Sequence, residues 1–466
     1  MQRRHLLKGA VAAGTVGALA GCAASTAQAP MTSSRAAPVQ VPRSVSEILR
    51  EAPPMHLERA YALMEAEDLQ GLVVTDPVNV YHLTGYWPVG ARMGPASFRV
   101  TALLSRDPAH PIAVVSPEFT FYYLMADNDF RYPHAVYLFT GPADAAEAAA
   151  ARADGFSREP AAGPSRMFVD RGLEPVESRE LARQAAVQSA LSLQPASADR
   201  EFALLRALRD AGMDRGRIAV DSQAIEAVVS AAGLPVIPVP AASLLSRLRL
   251  VKSPREVELM RIAAAANADA VMAAATAIRE GATLREFRML FFAEAASRGN
   301  RGVFMVVDGV GAEGADATLR DGQALMFDAV SEGAGYHGDF ARTVYVGEPA
   351  ATMKQVTAAI ELGWSAVREA LRPGLRYSEI TAIGRQAVRR AGYDFLIAFQ
   401  PHSCGLYHSD ATGLGDVVLE PGMVLSVDCP IMETGVGGTA HLEDLTLITG
   451  DGSEPIHDVT PATLTI

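Results

Sequence analysis

Cysteine is almost absent from this chain: three occur in 466 residues, at positions 22, 404 and 429. Once Cys22 is set aside, the remaining two do not make a disulfide framework. Positive charge is in deficit, since 41 Lys and Arg face 53 Asp and Glu for a net −12. No basic stripe is present to neutralise phosphates, which excludes nucleic acid as a partner. Long apolar runs are missing too. The run near the N-terminus, Ala10 to Ala20, has eleven residues, whereas a membrane span needs roughly 20. Histidine is unevenly placed, with none between His134 and His337.

What is present fits a folded globular protein: 49% hydrophobic and 20% charged residues. The length argues for two domains. The N-terminus reads as an address. Arg3-Arg4 followed by the short apolar run is a twin-arginine export signal. Leu19-Ala20-Gly21-Cys22 resembles a lipobox, which gives Cys22 a role as a lipid acceptor and is the preferred processing site. Ala27-Gln28-Ala29 is the alternative. The signal covers residues 1–22, and its processing removes Arg3, Arg4 and Lys8 and takes the net charge from −12 to −15. The expected location is therefore outside the cytoplasm of a bacterium, either periplasmic or lipid-anchored.

Residues 23–50 read as a tether. Residues 51–247 alternate helical and strand patterns, with strands expected at 71–75, 100–104, 111–115 and 217–221, and helices at 177–193 and 201–211. This is the pattern of an α/β domain. A second domain spans 248–466. It opens on Ser253-Pro254-Arg255-Glu256, a helix start with its cap, first-turn proline and acid in place. Helices are expected at 254–278 and 284–297, and again at 352–371 and 377–391.

Those two helix pairs precede two similar segments. Gly322-Gln323-Ala324-Leu325-Met326-Phe327-Asp328 and Gly422-Met423-Val424-Leu425-Ser426-Val427-Asp428 both read G-x-x-L-x-x-D. Each is followed by a glycine-rich turn and a further carboxylate, Asp339 or Glu443. The second domain therefore reads as two copies of helix, helix, hairpin. An apolar strand ending in a carboxylate is costly unless something compensates the charge. Strand alternation puts Asp328 facing Asp339, and Asp428 facing Glu443, so a pseudo-twofold would gather four carboxylates. They would repel and take up protons unless cations joined them. With imidazole added, the donor set suits Mn²⁺, Fe²⁺, Co²⁺ or Zn²⁺.

Four of the second domain's five histidines (His337, His402, His408 and His441, but not His457) lie beside these carboxylates. His337 and His441 each stand two residues before a carboxylate, so both imidazoles are expected on the ligand side, as general acid/base or extra ligands. Cys404 and Cys429 read first as small buried hydrophobes. A disulfide or a soft metal ligand are the alternatives.

At these residues the chain resembles the pita-bread metallohydrolases, the group of creatinase, aminopeptidase P and prolidase. Leu72 to Tyr86 is similar to the creatinase-type N-terminal domain, and Val251-Lys252-Ser253-Pro254-Arg255-Glu256 to the start of the catalytic domain. Asp339-Phe340-Ala341-Arg342-Thr343, eleven residues after Asp328, resembles the paired-aspartate segment. Glu443-Asp444 resembles the final glutamate. The resemblance implies an α/β creatinase-like domain before a pseudo-twofold pita-bread domain, and a homodimer. It implies two divalent ions: Asp328 on one, His402 and Asp428 on the other, Asp339 and Glu443 bridging. It gives His408 a substrate-contacting role. Arg342 either orients Asp339 or forms a structural ion pair. The implied reaction is Xaa-Pro peptide cleavage by a metal-bridging hydroxide. Three departures stand out: no histidine shortly before Asp328, aspartate in place of glutamate at 428, and His441 where peptidases often have arginine. They keep open a creatinase-like C–N hydrolase or a lyase acting on a small metabolite, and a non-catalytic binding module.

Overall fold

The computed structural model describes residues 43–87, 100–165, 167–309, 311, 314–457 and 461–466. The export signal, both processing sites and most of the tether lie outside the described residues. The tether is shorter than expected. Val45–Glu51 is already a helix, closed by a capping box between Ser44 and Glu47. Its Ile48 packs among Tyr81, Leu259 and Met260, so burial of one apolar side chain brings the end of the tether into the fold. Among the described residues no helix is long and apolar enough to cross a membrane.

The N-terminal domain is a six-stranded mixed sheet: β1 (Leu69–Val74), β2 (Thr101–Ser105), β3 (Ile112–Pro117), β4 (His134–Phe139), β5 (Gly216–Val220) and β6 (Val236–Pro240). The spatial order is β4-β3-β2-β1-β5-β6. β1 is antiparallel to β2 and parallel to β5, and β3 is parallel to β4. Strands β1 and β2 are apolar on both faces because both are covered. Val73 and Leu103 belong to one core, and Leu72 and Leu104 to the other.

Helix Pro254–Ala277 starts where the sequence places it, with Pro254 in the first turn and a Ser253–Glu256 capping box. The second domain then contains β7 (Arg301–Val307), β8 (Ala324–Gly333), β9 (Tyr336–Tyr345), β10 (Gln400–Ser403), β11 (Val424–Asp428), β12 (Glu443–Asp444), β13 (Thr446–Ile448), β14 (Ser453–Pro455) and β15 (Thr463–Thr465). Two sheets result, β12-β9-β8-β7 with β15 alongside β9, and β10-β11-β13-β14. Helices Pro254–Ala277 and Leu284–Ser297 back the first. The helix pair Ala351–Ala370 and Tyr377–Arg390 belongs to the second half, so the expected duplication is visible as paired helices over paired sheets.

The alanine face of helix 254–277 has a steric purpose. Ala263, Ala264, Ala268 and Ala270 are buried, and a Cβ on Gly338 of β9 would meet the Ala263 carbonyl at 2.9 Å. Small residues let helix and strand approach closely. A satisfied polar chain runs through the same interface. Asn300 donates to Ser331 Oγ, Ser331 donates to Asn267, and Asn267 donates to the Ala329 carbonyl.

In the second half the corresponding close contact is a ring. Phe399 is fully buried, immediately before β10, with φ +50°. It lies between Gly363 and Gly384 of the two helices; added Cβ atoms would stand 2.1 and 2.4 Å from its ring. Thr381 Oγ1 donates to its carbonyl at 2.8 Å. This wedge fixes where β10 begins, and β10 carries His402. Gly384→Ala should raise intrinsic helix propensity yet lower stability by about 1–3 kcal/mol, because overpacking outweighs propensity. Thermal or denaturant unfolding checks this. A variant more stable than wild type would contradict the wedge.

Candidate metal centre

The carboxylates converge, but not by the two matched hairpins expected. In the β8–β9 ladder Asp328 is opposite Ala341, and Val330 is opposite Asp339. Asp328 and Asp339 are thus diagonal neighbours on one face rather than direct partners. Glu443 leaves the second sheet for the first: β12 pairs with β9, with Glu443 opposite Ala341. Asp328, Ala341 and Glu443 form a row across three strands. The buried methyl group between them leaves room for the two carboxylates to lean together. Asp428 ends β11, and His402 on β10 is opposite Ser426, so His402 and Asp428 share a face.

Three groups of donor atoms result, each with all its atoms within 4.8 Å of one another: Asp339, His402 and His408; Asp328, His441 and Glu443; His402, Asp428 and Glu443. His402 Nε2 lies 3.2 Å from Glu443 Oε1, 3.4 Å from Asp339 and 3.6 Å from Asp428. His408 Nε2 lies 3.2 Å from Asp339 Oδ2. His441 Nε2 is 3.3 Å from both Asp428 Oδ1 and Glu443 Oε2. Of the eight residues singled out in the sequence, seven meet here: Asp328, Asp339, Asp428, Glu443, His402, His408 and His441.

His337 does not join them. Its Nδ1 sits 3.2 Å from the Gly405 carbonyl. Two residues nearer the hairpin tip than Asp339, it is about 6.6 Å further along the strand and packs under the 404–408 loop. Arg342 takes the second of its two expected roles, a structural ion pair with Asp444. It faces away from Asp339 because the two are three apart on a strand. It donates to Asp444 at 2.6 Å and to the Glu443 carbonyl at 2.9 Å, so it holds the backbone of β12. The cysteines are both free and buried. Their thiols donate to the His337 and Val427 carbonyls, and neither joins a donor group among the described residues. Phe304 of β7, missed in the sequence, stands edge-on to the His408 ring at 5.4 Å. Its only signal there is its place in the strand before the Asp328 strand.

The electrostatics are those of a pocket built for cations. Both oxygens of Asp339, Oδ1 of Asp328 and Oε2 of Glu443 are buried without a hydrogen bond among the described residues. Burial, then the Glu443 charge, pushes Asp328 up to about 7. Burial, then Glu443, drives Asp339 well above the usual carboxylate range. Glu443 goes the other way: burial would raise it, but the His402 and His441 contacts outweigh that and hold it well below. Burial works against protonation of His402 and His441, yet the surrounding carboxylates lift both to about 10. Burial, then His402, lowers His408. Orphaned buried oxygens beside imidazoles, with no thiolate in the set, fit divalent ions of the Mn²⁺, Fe²⁺, Co²⁺ or Zn²⁺ kind.

The two-domain arrangement is that of the pita-bread proteins. A dipeptidase from Pyrococcus horikoshii OT3 superposes with a TM-score of 0.62 at 16% identity, covering 88% of this chain and 100% of that one. An Xaa-Pro dipeptidase from Bacillus anthracis gives 0.62 at 17% identity, covering 91% and 100%. Residues 258–450 match the family described as metallopeptidase family M24, and residues 56–152 the creatinase/prolidase N-terminal domain. The chain thus carries a family M24 domain behind a creatinase/prolidase N-terminal domain. A probable dipeptidase PepE of Mycobacterium bovis is 30% identical over 237 residues, 48% of this chain and 63% of that protein. An Xaa-Pro dipeptidase of Lactobacillus delbrueckii subsp. lactis is 32% identical over 143 residues, 30% of this chain and 38% of that protein. The matched region therefore spans less than two thirds of each relative's length.

Metal uptake must displace the proton of His402, held up to about 10, and those of Asp328 and Asp339. The folded values of the two aspartates lie above the ordinary 3.8, so both favour the protonated, metal-free fold at low pH and oppose ionisation as pH rises. Affinity should weaken as pH falls below about 10 through His402, and further below about 7 through Asp328. Calorimetric Mn²⁺ titrations at pH 6 in two buffers of different ionisation enthalpy should record proton release. Equal heats in both buffers would contradict it.

Proposed function

We propose that this protein is a dinuclear metal-dependent hydrolase of the Xaa-Pro peptidase type. One observation carries the reading: four carboxylates and three imidazoles converge in one pocket, with four buried carboxylate oxygens lacking a hydrogen bond among the described residues, inside a family M24 domain. Asp328, Asp339, His402, Asp428 and Glu443 are the residues that would hold two divalent ions. Such ions, when bound, activate a water nucleophile and polarise a carbonyl. The chain's own residues do the rest. His408, about one third exposed, stands at the rim against Phe304, where an incoming peptide meets it. It is placed to contact the scissile carbonyl or to pass a proton to the leaving nitrogen. His441, nearly fully buried, keeps Asp428 and Glu443 aimed into the pocket.

A second reading has one observation in its favour. His441 occupies the pocket where the resembling peptidases often have arginine, and an altered donor there suits C–N hydrolysis of a small metabolite. Mn²⁺- or Co²⁺-loaded protein should cleave Xaa-Pro dipeptides or longer Xaa-Pro peptides. Asp339→Asn should lose metal and turnover together. His408→Ala should keep its metal and lose about 10²- to 10⁴-fold in kcat. Two bound metals without peptide cleavage would move the reading to the small-metabolite hydrolase. No bound metal would overturn both.

The proposal includes export by the twin-arginine route, supported by Arg3-Arg4 and the following apolar run, with a lipid on Cys22. Intact mass should place the mature N-terminus at Cys22 with added acyl mass. A mature chain starting after Ala29 would contradict the lipid. The family resemblance supports a homodimer, which sedimentation of the purified protein tests.

A further inference from the structure

The loop bearing His408 is tied to the N-terminal domain by a polar relay. We propose that Asn79, Arg249 and Asp410 are positioning residues that set His408 against the metal centre. The catalytic arm of this inference rests on the hydrolase reading; the structural arm does not.

Asp410 is the anchor. It lies two residues beyond His408 and is 3% exposed. Its Oδ2 accepts from Lys252 Nζ at 2.6 Å, with both side chains wholly out of solvent. Its Oδ1 accepts from the Tyr407 amide at 3.3 Å, and Arg249 stands 3.8 Å away. The loop folds tightly around this carboxylate. Asp410 N donates to the Ser403 carbonyl at 3.0 Å, and a Cβ on Gly405 would come within 2.1 Å of Asp410 Oδ2. Movement of Asp410 therefore moves the whole His402-to-His408 turn. A buried ion pair adds little stability over apolar packing of equal volume. What it supplies here is a fixed direction.

Arg249 carries that direction to the other domain. Its guanidinium lies over the Tyr407 ring at 5.2 Å and donates to Asn79 Oδ1 at 3.1 Å. Asn79 Nδ2 donates to Asp221 Oδ2 at 3.0 Å. Asp221, just past β5, also accepts from the Thr75 and Asp76 amides at 2.8 and 3.0 Å. Tyr407 closes a second link through its hydroxyl to Asp76 at 3.4 Å. Arg249 serves an amide, a carboxylate and an aromatic face at once. Only a planar fork does so, and lysine does not replace it. At the far end His408 Nε2 is 3.2 Å from Asp339, a spacing at which a shift of about 1 Å costs on the order of 10²-fold in rate.

The test uses the full metal-loaded chain with Arg249→Met, Arg249→Lys and Asn79→Ala. Hydrogen exchange of residues 403–411 should accelerate about tenfold in Arg249→Met and Asn79→Ala while helix 254–277 is unchanged. Metal content should hold. Turnover of the Xaa-Pro peptides should fall at least about tenfold in kcat, with a smaller change in KM. Arg249→Lys should follow Arg249→Met rather than wild type. If the variants melt earlier but loop exchange and kcat stay within about twofold of wild type, the relay is merely structural and the proposal fails. If wild type cleaves no Xaa-Pro peptide, the Xaa-Pro peptidase reading fails, and loop exchange alone decides the relay.

Discussion

Like charges forced together out of water are the constraint on which the second domain turns. Asp328, Asp339, Asp428 and Glu443 share one pocket, two of them wholly buried. In the absence of cations the pocket answers with protons, lifting Asp328 and Asp339 and charging His402 and His441. That is an expensive arrangement for a fold to maintain for stability alone. It becomes economical when divalent ions replace the protons. The surrounding architecture holds the four groups in that high-energy proximity.

Each element does one part of this. β8 and β9 place Asp328 and Asp339 on one face. The small Ala341 lets Glu443 lean in from β12. Arg342 grips the β12 backbone through the Glu443 carbonyl and Asp444. Phe399, wedged between two helix glycines, fixes the start of the strand bearing His402. The Ala-rich helix 254–277 allows β9 to lie close enough for the row to form. These are contacts of shape and backbone hydrogen bonding, which are stiff enough to resist the repulsion they confine.

Much of this was legible in the chain because strands and helices have fixed periods. The G-x-x-L-x-x-D pair located both strands, and the capping signal at Ser253 located the start of the first helix. Pairing was less legible. A carboxylate's partner depends on register, and the sequence does not print register, so Glu443 was expected within its own hairpin rather than on β9. His337 shows the limit of the alternation rule. It has the right parity beside Asp339 but sits one strand step too far along. Arg342 has the wrong parity for Asp339, which decides between its two expected roles in favour of the ion pair. Phe304, Lys252 and Asp410 gained their roles only from contacts far apart in the chain.

The central claim is that these four carboxylates and His402 form one two-cation site. Anomalous diffraction from crystals grown with Mn²⁺ tests it most directly. The account predicts two peaks inside the ring of Asp328, Asp339, His402, Asp428 and Glu443, both lost in Asp339→Asn. A pocket with no peak at saturating Mn²⁺, or peaks elsewhere that survive this substitution, would contradict it.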